Sequence, residues 1–162
     1  MSADFPAEAS RVAVEEWFNE YDEGFEKNLT IHGYHGIVYI GLGTSAVIGH
    51  YIRREWSDFD ASDFMRARRG ASAAYLASVE IDRPFRGSGR GSALMQYTIA
   101  TLDARRVAYT YLIPIATSYD GPANDGLRAW YARFGFTGIA GTRFMVRVRP
   151  GVRVRRQVGR IR

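Results

Sequence analysis

The sequence predicts an α/β (α+β) domain: a mixed, mostly antiparallel sheet flanked by helices. Three observations predict it. Apolar runs of strand length fill much of residues 36–53 and 73–81. A glycine-rich turn at residues 86–91 then opens directly into a helical pattern. Strand-type and helix-type patterns alternate from there to residue 149. The chain has 162 residues, enough to bury one sizeable core, and no repeat or low-complexity linker divides it. Residues 1–150 are therefore read as one domain and 151–162 as a basic strand or tail.

Each element has its own signal. Residues 8–27 read as a helix, with Val12, Val14, Trp17, Phe18, Tyr21 and Phe25 near helical spacing and Ser10 as a cap. Gly36–Leu42 and Ala46–Arg53 read as two strands of a hairpin turning at Gly43-Thr44-Ser45. A short helix is expected around Ser62–Arg68. Ala73–Ile81 is a third strand, which Pro84 prevents from simply continuing. From Gly89 to Arg106 the pattern is helical, with Met95, Ile99 and Leu102 on one face. Ala108–Thr117 is a strand interrupted by Pro114. Asn124–Phe134 is a helix closed by Gly135, and Thr142–Arg149 is the last strand.

Composition removes several classes of function. There is no cysteine, so disulfides, thiolate metal sites and a Cys nucleophile are excluded. No apolar run reaches membrane-helix length and the N-terminus has no signal-peptide pattern, so a cytoplasmic protein is expected. The net charge of +5 equals the five arginines of Gly151–Arg162, which leaves the remaining 150 residues near neutral. The asparagine sequon at Asn28 is read as chance. His32 and His35 lack a third ligand and are read as loop or strand-edge histidines, with no metal expected.

The informative stretch is Val79-Glu80-Ile81-Asp82-Arg83-Pro84-Phe85-Arg86-Gly87-Ser88-Gly89-Arg90-Gly91-Ser92. A strand delivers the chain to a turn whose glycines permit positive φ. The helix that follows offers unpaired N–H groups and a partial positive charge, which suits phosphate or pyrophosphate. The competing reading is a plain strand-to-helix turn or an arginine-glycine segment for nucleic acid. A P-loop is excluded because the segment has no lysine. A dinucleotide fingerprint is excluded because the glycines fall at 87, 89 and 91.

Arg86-x-x-Gly89-x-Gly91 resembles the R/Q-x-x-G-x-G/A signature of the GNAT superfamily of N-acyltransferases. Asn124-x-x-Leu127-x-x-Trp130-Tyr131-x-Arg133-x-Gly135-Phe136 is similar to that family's N-x-x-A-x-x-F-Y-x-K-x-G-F run. Two separate motifs in the right order carry the resemblance, which covers residues 73–149 well and 1–72 by element order only. The family's first strand has no clear counterpart before residue 8.

The resemblance implies a sheet splayed between its fourth and fifth strands and direct transfer from acetyl-CoA to an amine in a ternary complex. It implies a pyrophosphate cradle from the backbone of Arg86, Gly87, Ser88, Gly89, Arg90, Gly91 and Ser92. Val79, Ile81 and Asn124 complete the candidate cofactor contacts, with Asn124 equally readable as the cap of its helix. The pantetheine arm would lie where the strands part; Pro114 fits a place without ladder pairing, and equally an ordinary edge or bulge proline. Tyr131 is the candidate acid for the CoA thiolate, against a plain core tyrosine. Glu80 is the candidate base, since it points away from its apolar neighbours Val79 and Ile81; Asp82 and a water relay are its rivals.

The acceptor amine has no signature in residues 8–35 or 53–70. The acidic residues of 8–26 favour a cation, whereas Arg66, Arg68 and Arg69 favour an acidic partner. At the C-terminus, Val146, Val148, Val152 and Val154 alternate with Arg147, Arg149, Arg153 and Arg155 about Pro150-Gly151. An odd-length loop there would pair Val148 with Val152 and Arg147 with Arg153, a β-hairpin with one packed face and one arginine ladder. Nucleic acid, an acidic protein surface or the chain's own acidic first helix, in cis or across a homodimer, would sit on it; a disordered tail is the alternative. Three functions follow in order: an amine acetyltransferase, a nucleic-acid-associated acetyltransferase using the arginine tail, and a non-catalytic CoA-binding regulator.

Overall fold

The computed structural model describes residues 11–18, 25–55, 64–65, 67–115 and 124–152. The elements run β1 (Ala13–Trp17), β2 (Lys27–Gly33), β3 (Gly36–Thr44), α1 (Ser45–Glu55), β4 (Ser72–Ile81), a 3₁₀ turn (Arg83–Phe85), α2 (Arg90–Ala104), β5 (Tyr109–Leu112), α3 (Asn124–Ala132), β6 (Phe136–Gly138) and β7 (Met145–Val148). The strands form one mixed sheet in the order β1-β2-β3-β4-β5-β7-β6, antiparallel except for the β4–β5 pair.

The first half of the chain corrects two expectations. The predicted helix 8–27 is replaced by β1 and the start of β2, which pair antiparallel from Ala13↔His32 to Trp17↔Asn28. Val12 and Val14 satisfy an alternating pattern as well as a helical one, and hydrogen bonding to β2 decides between them. Ser10 lies outside the described residues. The predicted second hairpin strand at Ala46–Arg53 is instead α1. Thr44 Oγ1 accepts a hydrogen bond from the Val47 N–H at 3.2 Å, as an N-cap does. Ile48 and Ile52 then stand four apart on the buried face, so helical spacing outweighs their β-branching. With β1 and β2 present, Ser72–Ile81 becomes the fourth strand.

The sheet is covered on both faces. On one side α2 and α3 enclose Leu29, Ile31, Val38, Ile40, Ala74, Leu76, Leu94 and Met95. On the other, α1 with Phe64 and Met65 covers Ala73, Tyr75, Tyr109, Tyr111 and Phe144. These buried aromatic and aliphatic side chains are the main source of stability.

Two features of β4 shape the molecule. It has ten residues and β5 has four, and they pair only at Ala73↔Tyr109, Ala74↔Thr110 and Tyr75↔Tyr111. From Leu76 onward β4 has no β5 partner, so the sheet opens there. A bulge also falls at that level, since Ile40 faces Leu76 while Tyr39 faces Ser78, leaving Ala77 unmatched. The extra residue shifts the alternation: Ala74 and Leu76 precede it on the α2 face, and Val79 and Ile81 follow it there.

β7 forms a hairpin with β6, which is absent from the sequence-based expectation, and the second strand of the expected hairpin about Pro150-Gly151 lies outside the described residues beyond Val152. β7 is bonded to β5 on one edge and β6 on the other. Arg147 therefore faces Thr110 and Phe136 rather than Arg153, and no ladder can form on it. Its guanidinium instead grips Asp103 of α2 through two bonds of 2.8 and 3.0 Å. The Val152 N–H donates to the Arg149 carbonyl about Gly151, and Val154 and the later arginines lie outside the described residues.

Candidate active site

β4 ends in the segment that carries the glycine pattern. Asp82 N–H donates to the His35 carbonyl at 2.7 Å, the 3₁₀ turn reverses the chain, and α2 begins at Arg90. Gly89 is the N-cap with φ 84°, and Gly87 has φ 77°. Both lie in the left-handed region that a side chain disfavours, which is why these positions read as glycine. Gly91 differs, since an added Cβ would meet only Ile81 and Trp130 at 3.7 Å. Alanine fits there, in keeping with the G/A alternative of the signature.

The first main-chain bond of α2 runs from the Ala93 N–H to the Gly89 carbonyl. The amides of Arg90, Gly91 and Ser92 precede it, so they point out of the helix end with its partial positive charge. Side chains brace the turn: Arg86 Nε donates to the Ile81 carbonyl at 2.9 Å, and Arg90 Nη1 donates to Ser88 Oγ at 2.8 Å. The Arg90 guanidinium lies 5.0 Å from the Phe85 ring centre.

A second buttress comes from the β2–β3 turn, where Tyr34 and His35 both have positive φ. The His35 ring stacks on Phe85 with centroids 3.7 Å apart and planes within 6°. Next to it Gly36 permits the close approach of β3 to β4, because a Cβ there would sit 2.5 Å from the Glu80 carbonyl oxygen. His35, expected as a loop or strand-edge histidine, thus braces the glycine loop. Its signal was the Tyr34-His35 pair between two glycines, the two-residue hairpin turn that brings the imidazole beneath the loop. Among the described residues no group of three His, Asp or Glu is placed to hold a metal.

Tyr131 lies on α3 and packs edge-to-face with Trp130 at 5.0 Å and Phe136 at 5.8 Å. Burial pushes its phenol up to about 12, so it keeps its proton at neutral pH. Trp130 also backs Gly91, which ties α3 to the start of α2. Asn124 opens α3, with its side chain outside the described residues. Glu80 is exposed near the end of β4, opposite Ile37. Val79 and Ile81 pack on the α2 face, so Glu80 points to the α1 face, opposite Tyr131. Between β4 and β5 the paired sheet opens beyond Tyr75 and Tyr111. Asp82 is exposed as well.

The acetyltransferase (GNAT) family model matches residues 3–136. The chain belongs to that family. Its members are acyl-CoA-dependent acetyltransferases, so the donor is acetyl-CoA and the chemistry calls for no metal. Similar solved structures include YhbS from Escherichia coli in complex with CoA, at 14% identity, covering 85% of this chain and 81% of that one, TM-score 0.44. NAA60 from Arabidopsis thaliana with acetyl-CoA is 12% identical, with 75% of each chain covered and TM-score 0.46. AtaT complexed with acetyl-methionyl-tRNAfMet is 9% identical, with 75% and 70% covered and TM-score 0.44. A search of curated proteins finds no match. Among the described residues, no helix is long and apolar enough to cross a membrane.

Proposed function

We propose that this acetyltransferase moves the acetyl group of acetyl-CoA directly to a primary amine in the opening between β4 and β5. The observation that carries the proposal is the continuity of the glycine cradle at Arg86–Ser92 with a strand that loses its β5 partner at Leu76. A pyrophosphate at the α2 N-terminus would leave the pantetheine arm to run along the unpaired edge of β4 by strand addition. Val79 and Ile81 flank that edge, and Asn124 stands at the head of α3.

In this reading the thioester sits in the opening, the amine enters from the Glu80 face and the thiol departs towards Tyr131. Glu80 takes the proton that frees the amine lone pair, with Asp82 as its neighbour. The nitrogen attacks the thioester carbonyl, the C–S bond breaks, and CoA leaves as a thiolate. A phenol at about 12 is a weak acid toward a thiolate whose conjugate acid has a pKa of about 8.5. Complete transfer runs uphill by about 3.5 units, so the phenol serves chiefly as a hydrogen-bond donor to the leaving sulfur. The amine proton released during attack then balances the thiolate.

Arg147, one rung of the expected arginine ladder, is an internal ion pair, which weakens the case for a nucleic-acid acceptor held by the C-terminus. Calorimetry with acetyl-CoA tests the cradle: wild type binds and Gly89→Glu does not, whereas absence of binding by wild type refutes the proposal. Release of CoA thiol across an amine panel separates the enzyme from a silent CoA-binding regulator.

A further inference from the structure

A cavity of about 340 Å³ lies away from the glycine loop, lined by Ser45, Ala46, Gly49, His50, Arg53, Met65 and Arg69. Ala46, His50 and Arg53 stand at i, i+4 and i+7, so they form one stripe along α1. The opposite wall is the segment ending at Arg69. Gly49 allows that wall to close on the helix, since a Cβ there would lie 2.6 Å from Met65 Sδ. The wall is anchored: the Arg69 and Ala71 carbonyls accept the Ala46 and Ser45 N–H groups, each at 3.0 Å. Arg68 is engaged elsewhere, donating to the Phe64 carbonyl and lying 3.8 Å over its ring.

Arg53 and Arg69 are both exposed, and neither has a carboxylate partner among the described residues. His50 adds a third group that can carry positive charge, and no acidic side chain is among the lining residues. Two permanent cations facing one concavity repel unless an anion lies between them. Gly49 and Met65 make a buried apolar floor, so the cavity combines an apolar base with a cationic rim.

We propose that this cavity is a second anion site, which takes the carboxylate or phosphate group of a small molecule. Arginine forks suit both groups through paired N–H donors. The site does not depend on the acetyl-transfer reading, because its residues are separate from the cradle, Glu80 and Tyr131.

The test is calorimetric titration of the full chain with inorganic phosphate and with succinate. Gly89→Glu is the background, so that the cradle cannot supply the signal. Millimolar binding is expected in that background, weakened at least tenfold by Arg53→Gln or Arg69→Gln and unchanged by Arg54→Gln, which lies on α1 but not on the cavity. Ala46→Glu places a tethered carboxylate on the cavity wall in the first turn of α1. It should abolish binding while leaving the melting temperature unchanged or raised, which controls for misfolding. Preference for phosphate or succinate identifies the anion class. No binding in the Gly89→Glu background overturns the proposal, as does equal loss in Arg54→Gln. Binding that emerges only after Asp58, Asp60 and Asp63 are all changed to Asn also overturns it, because the chain's own carboxylates would then be the occupant. Failure of acetyl-CoA to bind wild type would sink the cradle and leave these outcomes untouched.

Discussion

At the scale of single residues, Tyr131 and Gly91 make separable predictions. Tyr131→Phe removes the donor without disturbing the edge-to-face packing against Trp130 and Phe136. Steady-state kinetics should show kcat lower by about 100-fold with the acetyl-CoA dissociation constant unchanged. An unchanged kcat would make Tyr131 a core residue only. Gly91→Ala should retain acetyl-CoA binding within about threefold of wild type, since the new methyl meets its neighbours at 3.7 Å. A collapse like that expected of Gly89→Glu would mean the Gly91 backbone itself touches the cofactor.

Tyr111 adds a pH dependence. Burial lifts its phenol to about 12, even though Ser45 Oγ shares a 2.9 Å hydrogen bond with it. Tyr131 is raised to about 12 as well. A phenol raised above its unfolded value near 10 favours the fold fully below pH 10, and that contribution is lost as pH rises through 12. Urea unfolding should therefore show stability falling across that window by about 3 kcal/mol per tyrosine. Tyr131→Phe should flatten the slope by roughly half, and an unaltered slope would contradict its burial.

At the scale of elements, the Asp103–Arg147 pair locks α2 to β7. Arg147 is 9% exposed and bonds Asp103 with both terminal nitrogens. Truncating it to Ala leaves a half-buried carboxylate alone, and chemical denaturation should register a loss of about 2–3 kcal/mol. The double variant Arg147→Met/Asp103→Leu should recover most of it, because apolar neighbours replace both charges together. If the double variant is as unstable as the single, the pair supplies net attraction of its own. A second link, Arg105 and Lys27 to Glu16, ties α2 to the sheet's edge strand, and both guanidinium and ammonium hold the Glu16 carboxyl below its usual range. Glu16, one of the several acidic residues of 8–26 that favour a cationic acceptor, is thus partnered within the fold.

Elements also mark where the linear pattern was legible. α2 and α3 were, because each has a glycine at one end and apolar residues on one face. α1 was not, because Val47, Ile48 and Ile52 are β-branched and the deciding cap, Thr44, also suits a turn. β6 has three residues, Phe136, Thr137 and Gly138, too few to show a period.

At the scale of the whole molecule, the cofactor should couple parts that are distant in sequence. The loop is braced by the β2–β3 turn through His35 and Phe85, and Gly91 by α3 through Trp130. Saturating CoA at about 100 times its dissociation constant should add about 2.7 kcal/mol of stability. Hydrogen exchange should slow in residues 76–81 and 86–92, and also in residues 34–36, which never touch the cofactor in the proposed mode. Protection confined to 86–92 would refute strand addition along β4.

What the sequence determined alone was chemistry that is local in the chain. A strand, glycines at 87 and 89, and a helix beginning at Arg90 lie within a few residues, so their geometry follows from backbone sterics and helix ends. The Asn124–Phe136 run is likewise one helix and its stop. The opening between β4 and β5 was available only through likeness to a family, since it depends on where two strands far apart in sequence, paired as Ala73↔Tyr109 to Tyr75↔Tyr111, cease to pair. Tertiary structure alone decided that Glu80 and Tyr131 face opposite sides of the sheet, that a bulge at Ala77 sets which way Glu80 points, and that Arg147 turns inward. Each is a long-range outcome: hydrogen bonding on both edges of β7, and burial on both faces of the sheet, select among local patterns between which intrinsic propensity discriminates only weakly.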